Sequence, residues 1–552
     1  MSFDDVLTDI GGFGIFQWKI ITLVTIPPLA QCAILLSQVF IAGDGNHWCK
    51  VSQWQQEDCW QWNMTMEQCS DFKKTLSIPM NDDGTWSQCS KFNVSGMDLA
   101  TAFEYSNWTG GEVISCDEGW EFDRSVFHST IGEEWELVCE KAAIPNLIQS
   151  VYFFGYLVGS IAFGRLADRI GRHYTFMLGC TASGVFGMLT SLSPNVIVFT
   201  VLRFITAAAS YGTTLMCFVI ASEIVIPSQR VYTGVVMWML FSVGYFFLSG
   251  TAFITYNWRI LVAIIAIPYL AMIAAFPFLT ESPRWLLSRD KGESAEKIIR
   301  KIARENKKEL KEDVLGKLKR GDGNSLTAKS GKLLDLIRVP TMRWYMISMC
   351  YSWFVQGFVY FGLTLGTSNL GINVYVAFCL SGVMDLASHF LSIFTMKTFG
   401  RRWSASLLML LAGISCFGSV IAPLGPWRLA VATIGKLAIA TSFDIVYVYA
   451  GEILPTPLRA VGVGVCSVAA RIGGIVAPLL LYLGTISESL PFILFATSSI
   501  IGGFLILILP ETTNQPLPDT IEDTVNRKRA KKLKTSEKQE YTEIKRTEDT
   551  TV

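Results

Sequence analysis

Three ionisable side chains lie deep inside long apolar runs: Arg471 in 460–483, Asp444 in 427–451 and His389 in 372–397. A charged group at the centre of a spanning helix costs about 2.5–3.5 kcal/mol on insertion scales, so each requires a use. At a rise of 1.5 Å per residue, Arg471 and His389 each sit about 16 Å from the same end of their runs, and Asp444 about 12 Å. Their chemistry is recognition. A guanidinium takes a carboxylate bidentately where water is excluded. Asp444 at similar depth suits an ammonium, so the two together fit a zwitterion; they equally suit each other, Arg471 then only neutralising Asp444. His389 adds positive charge when protonated, relays a proton, or sits as a hydrogen-bonded core histidine. Asp385 and Lys436, about 22–24 Å from that end, read as a structural pair.

Aromatic side chains accompany these charges. Trp353, Phe354, Tyr360 and Phe361 lie in one run, Trp238, Phe241 and Tyr245 in another, and Phe443 beside Asp444. Most such rings pack or face lipid. Tyr360 and Phe361, next to Gly357 and Gly362, are the better flat walls for an organic ion, with cation–π capacity. Gln31 is a polar amide midway along the first run. No nucleophile–base set and no metal cluster appears, which argues against an enzyme and implies no cofactor.

The elements that must position these residues are apolar runs of spanning length. About a dozen occur, near 20–43, 147–167, 174–194, 196–222, 231–253, 258–279, 342–366, 372–397, 402–422, 427–451, 460–483 and 490–509. The chain is 51% hydrophobic and its 46 basic residues balance 46 acidic ones, so no electrostatic case exists for a nucleic-acid partner. The expectation is an all-α membrane protein of twelve transmembrane helices. Its parts are a cytoplasmic start at 1–19, a first span at 20–43, an external loop at 44–146, five spans in 147–279, a cytoplasmic loop at 280–341, six spans in 342–509 and a cytoplasmic tail at 510–552. Met1 to Trp18 carries Asp4, Asp5 and Asp9 with no basic stretch, unlike a cleavable leader.

The 44–146 loop holds Cys49, Cys59, Cys69, Cys89, Cys116 and Cys139, whereas the other seven cysteines are scattered through apolar runs. Six in one polar segment predict three disulfides of open connectivity and an oxidising compartment. Sequons at Asn63, Asn93 and Asn107 predict glycosylation there. Cys-x-x-Cys spacing is absent, which disfavours a metal site.

Basic residues in 281–341, at Arg401-Arg402 and in the run Arg527–Lys534 place both termini and the middle loop in the cytoplasm. Ala295, Ile298, Ile299 and Ile302 fall on one face of an amphipathic helix over Glu293–Lys308. The charged stretch Gly164-Arg-Leu-Ala-Asp168-Arg169-Ile-Gly171-Arg172 reads as a tight turn between two spans. Its degraded copy is Thr398-Phe-Gly-Arg-Arg402, with Lys397 in the place of Asp168. Glu223 with Arg230, and Glu452 with Arg459, repeat a Glu-to-Arg spacing of seven around proline. Two parallel six-helix repeats with a site between them near the midplane are expected. Asp168, Glu223 and Arg230 are expected to form a cytoplasmic latch.

The Gly-x-x-x-Asp-Arg-x-Gly-Arg pattern resembles the signature loop of the major facilitator superfamily. Gly12-Phe-Gly-Ile-Phe-Gln17, the cysteine-rich loop, Glu281-Ser-Pro-Arg-Trp-Leu286, Gly451-Glu-Ile-Leu-Pro-Thr-Pro-Leu-Arg459 and Pro510-Glu-Thr resemble the organic cation, organic anion and carnitine transporters, solute carrier family 22, within it. The resemblance covers nearly the whole chain. It implies polyspecific transport of small organic ions by alternating access at the plasma membrane. Cation carriers of the family have aspartate at the place of Arg471, whereas anion and carnitine carriers have arginine. Anion carriers usually have a neutral residue at the place of Asp444, and some have lysine at that of His389; carnitine-type carriers have an amide at that of Gln31. Monocarboxylates or carboxylate-bearing zwitterions are therefore the expected cargo, with organic cations as the alternative and a non-transporting receptor as a remote one. A coupling ion or exchange anion fits the family. Thr550-Thr551-Val552 could add a strand to a PDZ domain, and the basic tail could rest on anionic lipid.

Overall fold

The computed structural model describes residues 3–524, apart from 44, 53, 55–58, 60–63, 82–83, 105–111, 309–337, 370–371, 486, 514, 516–517, 519 and 523. Asn63, Asn107, the basic tail and the C-terminal tripeptide lie outside the described residues. Two compact units emerge. One comprises 1–37, 146–254 and 261–552, and the other 38–145 with 255–260.

The larger unit is helical. A short α1 (Phe3–Asp9) precedes α2 (Ile15–Val24) and α3 (Ile26–Leu36). The ladder breaks at Thr25 because Pro27 and Pro28 open the next helix, where a missing N–H costs nothing. There follow α4 (Ile144–Ile170), α5 (Arg172–Ser191), α6 (Val196–Glu223), α7 (Arg230–Ile254) and α8 (Trp258–Ala271). After α9 (Gly292–Glu305) come α10 (Pro340–Leu365), α11 (Val374–Thr398), α12 (Gly400–Ile421), α13 (Pro426–Ile453), α14 (Thr456–Tyr482) and α15 (Ser489–Ile506). Eleven described segments are long and apolar enough to cross a membrane. The twelfth, α5, falls short because Gly, Ser and Thr dilute its hydropathy. Helix α9 buries Ala295, Ile299 and Ile302 of the expected face, with Ala303 added and Ile298 only half-buried.

The charged stretch at 164–172 differs from its expected form. It is helical to Ile170, and the turn shrinks to Gly171 at φ +105°. A side chain there would meet the Glu281 carboxylate, so this position requires glycine on two counts. Gly400, at φ +79°, plays the same part between α11 and α12.

The smaller unit pairs β1 (His47–Cys49) with β4 (Trp120–Phe122), and β2 (Ser90–Phe92) with β3 (Val113–Ser115), both antiparallel. Trp54, Val94 and Leu99 pack beside the Cys59 and Cys69 sulfurs in a small core. The disulfides, whose connectivity spacing left open, join Cys49 to Cys116, Cys59 to Cys69 and Cys89 to Cys139.

Candidate functional site

Arg471 stands on α14 where that helix approaches α10 closely. A side chain at Gly357 would strike the Ala470 carbonyl, so the two backbones pack as only glycine permits. The Arg471 guanidinium donates to the Ser467 carbonyl and hydroxyl one turn back, and to the Tyr211 hydroxyl of α6. It lies 4.4 Å from the centre of the Tyr211 ring. Its Nε is buried without a partner. Every acceptor on this cation is neutral; among the described residues it meets no carboxylate.

Asp444 is instead taken by His389, with Nδ1 2.8 Å from Oδ2. This corrects the idea that Arg471 serves to neutralise Asp444. His389 lies one turn beyond Asp385 on α11, so both face α7. Its Nε2 is 3.3 Å from Ser242 Oγ, and Ser242 donates to Asp385 Oδ2 at 2.7 Å. Tyr360 donates to Asp385 Oδ1 at 2.8 Å and lies 3.0 Å from the Tyr245 hydroxyl. Lys436 donates to that hydroxyl at 3.1 Å and sits over the Tyr245 ring. Asp385 and Lys436, expected as a structural pair, are joined through the two tyrosines. One hydrogen-bonded chain therefore runs from Lys436 to Asp444 through α7, α10 and α11. Low local dielectric makes such a network costly to leave incomplete.

Rings connect this chain to neighbouring elements. Phe443 lies 6.0 Å from Trp353 and 6.4 Å from Tyr360, and Phe361 lies 4.5 Å from Phe153 of α4. Trp353 and Tyr245 are fully buried, whereas Phe361 and Phe443 are half-buried. Gln31 donates to the Tyr156 hydroxyl at 3.2 Å and accepts from Thr214. The Tyr156 ring lies 4.9 Å from Tyr211. Gln31 thus reaches the Arg471 neighbourhood through two rings.

Sequence reading passed over Tyr211, Ser242 and Arg203. Arg203 is 3% exposed, bonds Ser37 and Gln149 at 3.1 Å each, and stacks on Tyr152 at 4.8 Å. Its depth in α6 was a legible signal, since an arginine two turns into an apolar span is conspicuous. Tyr211 and Ser242 carried none.

At the ends of the spans the repeat becomes geometric. Arg172 bonds Glu223 at 3.3 Å and Asp168 at 3.3 Å, and Arg401 grips Glu452 at 3.0 Å. Both Arg-to-Glu separations are 51 residues. Glu281 accepts from the amide of Arg172 at 2.8 Å, and Glu511 from those of Arg401 and Arg402 at 3.0 and 3.1 Å. Burial works against the Glu511 charge, but bonds from Thr513 and these amides outweigh it and hold the carboxyl below its usual range. Arg230 donates Nε to the Ser222 carbonyl at 3.2 Å, and Arg459 to that of Leu454 at 3.4 Å. Arg169 is exposed, and Gly164 is helical with open space beside it.

Eleven membrane-length apolar segments and the less apolar α5, with charged groups inside the spans and matched charge clusters at the ends of both halves, fit a transporter of the major facilitator class. The partially occluded, inward-open xylose transporter XylE of E. coli has the same fold, with a TM-score of 0.59 at 16% identity over 91% of this chain and all of that one. The family model "Sugar (and other) transporter" matches residues 122–522. An organic cation transporter protein of Drosophila melanogaster is 34% identical over 95% of each chain. Mouse solute carrier family 22 member 3 is 31% identical over 95% of each, and a Drosophila beta-alanine transporter 31% identical over 95% of this chain and 89% of that one. The chain belongs to solute carrier family 22, a family of polyspecific transporters; it is a multi-pass membrane transporter and not an enzyme.

Proposed function

We propose that this transporter carries small organic ions bearing a carboxylate, either monocarboxylates or zwitterions of the carnitine or β-alanine kind, across the plasma membrane by alternating access. The observation that carries this is the state of Arg471. A guanidinium inside a span with only neutral acceptors is a charge awaiting an anion, since an unpaired ion there is costly. Tyr211 and Ser467 hold it in place and leave its charge uncancelled. Phe361 and Phe443, half-buried beside the polar chain, supply flat walls, and Asp444 Oδ1 is the group that meets an ammonium. The beta-alanine transporter among the relatives is named for a zwitterion of this kind. In this reading both termini and the middle loop are cytoplasmic, and the cysteine-rich unit is external and glycosylated.

Asp444 favours a second reading. Its side chain is 28% exposed, and the Drosophila relative at 34% identity is named an organic cation transporter. Transport of a quaternary amine without a carboxylate would place Asp444, not Arg471, at the centre. The deciding experiment is uptake of hippurate, glycine betaine and tetraethylammonium by wild type and Arg471→Asp at matched surface expression. Hippurate and betaine uptake should fall by about a hundredfold or more, because the variant replaces an attraction with a repulsion. Unchanged hippurate uptake in the variant would overturn the assignment.

A further inference from the structure

The polar chain between Lys436 and Asp444 contains a proton whose place the hydrogen bonds fix. Ser242 has a single hydroxyl hydrogen, and its short bond, 2.7 Å, goes to Asp385 Oδ2. Its oxygen therefore faces His389 Nε2 as an acceptor, 3.3 Å away, which puts a hydrogen on Nε2. Nδ1 then lies 2.8 Å from Asp444 Oδ2. Two bare lone pairs repel at that separation, so a second proton lies between them, on the imidazole or on the carboxyl. We propose that His389 and Asp444 together form a proton-binding site, and that the proton held there crosses the membrane with the cargo. This inference rests on the carboxylate-carrier reading and adds a coupling ion to it.

Charge balance supports the assignment. With the proton bound, the His389–Asp444 pair carries no net charge, and Lys436 offsets Asp385. Without it, a net negative charge remains inside an apolar bundle, where it is expensive. Loss of the proton also turns the α11–α13 bond into a repulsive contact, so proton release and movement of those helices are linked. Asp444 is the more accessible partner, its side chain 28% exposed while that of His389 is 10%. Ser242 on α7 and Asp385 and Ser392 on α11 neighbour the pair, and Tyr360 on α10, Tyr245 on α7 and Lys436 on α13 follow beyond Asp385. Cys32 on α3 is also buried near Asp385 and Lys436. Arg471 keeps its own partners on α6 and α14 and stays available for the carboxylate. One monocarboxylate on Arg471 and one proton on His389–Asp444 move together with no net charge transferred. The proton comes from the outer solution and is released to the cytosol.

The test uses purified full-length protein in liposomes with a luminal pH dye, and hippurate, β-alanine and tetraethylammonium as probes. At one proton per hippurate, an inward gradient of one pH unit should drive about tenfold accumulation. Hippurate entry should acidify the lumen. His389→Gln should lose both the acidification and the accumulation while still exchanging labelled for unlabelled hippurate at equal pH, a step that moves no net proton and reports a folded carrier. Asp444→Asn should lose the acidification as well. Hippurate entry at constant luminal pH in wild type, or acidification surviving in both variants, would overturn the proposal. Entry of tetraethylammonium alone would defeat the carboxylate reading instead, and the proton site would then be scored on that probe with the same dye.

Discussion

At the scale of single residues, the proposed function makes Asp444 the group that limits which anions are tolerated. In the proposed reading Arg471 meets one carboxylate, and Asp444, whenever its pair with His389 has released the proton, adds a negative charge to the cavity, so a second carboxylate on the cargo has nothing to meet. Monocarboxylates and betaines should therefore outcompete dicarboxylates in wild type. Asp444→Asn should raise glutarate uptake relative to hippurate about fivefold, equivalent to about 1 kcal/mol for removing a like charge in a partly solvated site. Competition among glycine betaine, hippurate and glutarate checks this, and a ranking unmoved by the substitution would mean that Asp444 faces away from the cargo. The existence and depth of these charges were legible, because an ionisable residue in an apolar run stands out and helix rise converts its position to a distance. Their pairing was not. Rise gives height but not direction around the axis, so His389, Asp444 and Arg471 looked equidistant partners. Only the packed helices show that α11 delivers His389 to Asp444, while α6 delivers Tyr211 to Arg471.

At the scale of elements, the two charge clusters show which contacts matter. Asp168 is 70% exposed on its side chain, whereas Arg172 and Glu223 are 16% and 18% exposed. An exposed ion pair is worth about 0–1 kcal/mol, and one screened from water by its neighbours more. Glu223→Gln should therefore slow turnover more than Asp168→Asn, with initial binding of hippurate changed less than about twofold in either. Turnover and half-saturation measured side by side check this ordering; equal effects on turnover would mean that the exposed Asp168 contact contributes as much as the Glu223 contact. Sequence showed the repeat through its motifs, and it showed Glu281 and Glu511 only as parts of familiar-looking strings. Their work is to receive amides at the start of α5 and α12, where the first N–H groups of a helix have no partner of their own. That follows from a turn compressed to one glycine, and a turn that short is not visible in composition.

At the scale of the whole molecule, the two units are stabilised differently. The helices of the larger unit satisfy their own backbone, as a bilayer demands. The smaller unit has strands of only three residues and a core of few side chains, so covalent closure must replace area. A bridge spanning 67 residues, as Cys49–Cys116 does, contributes on the order of 4 kcal/mol by chain-entropy arithmetic. Cys49→Ser should accordingly lower the amount of protein reaching the cell surface more than substitution of any single free cysteine. The pairing itself has a direct count. Of 13 cysteines, seven are free and all seven lie in or beside the helices of the larger unit. Alkylation after denaturation should label seven thiols without reductant and all 13 with it. Digestion with a glycosidase should increase gel mobility, and Asn93→Gln should remove part of that shift, because Asn93 follows β2 on a partly exposed edge. Thirteen thiols labelled without reductant would overturn the three bridges and mean that the unit holds together by packing alone.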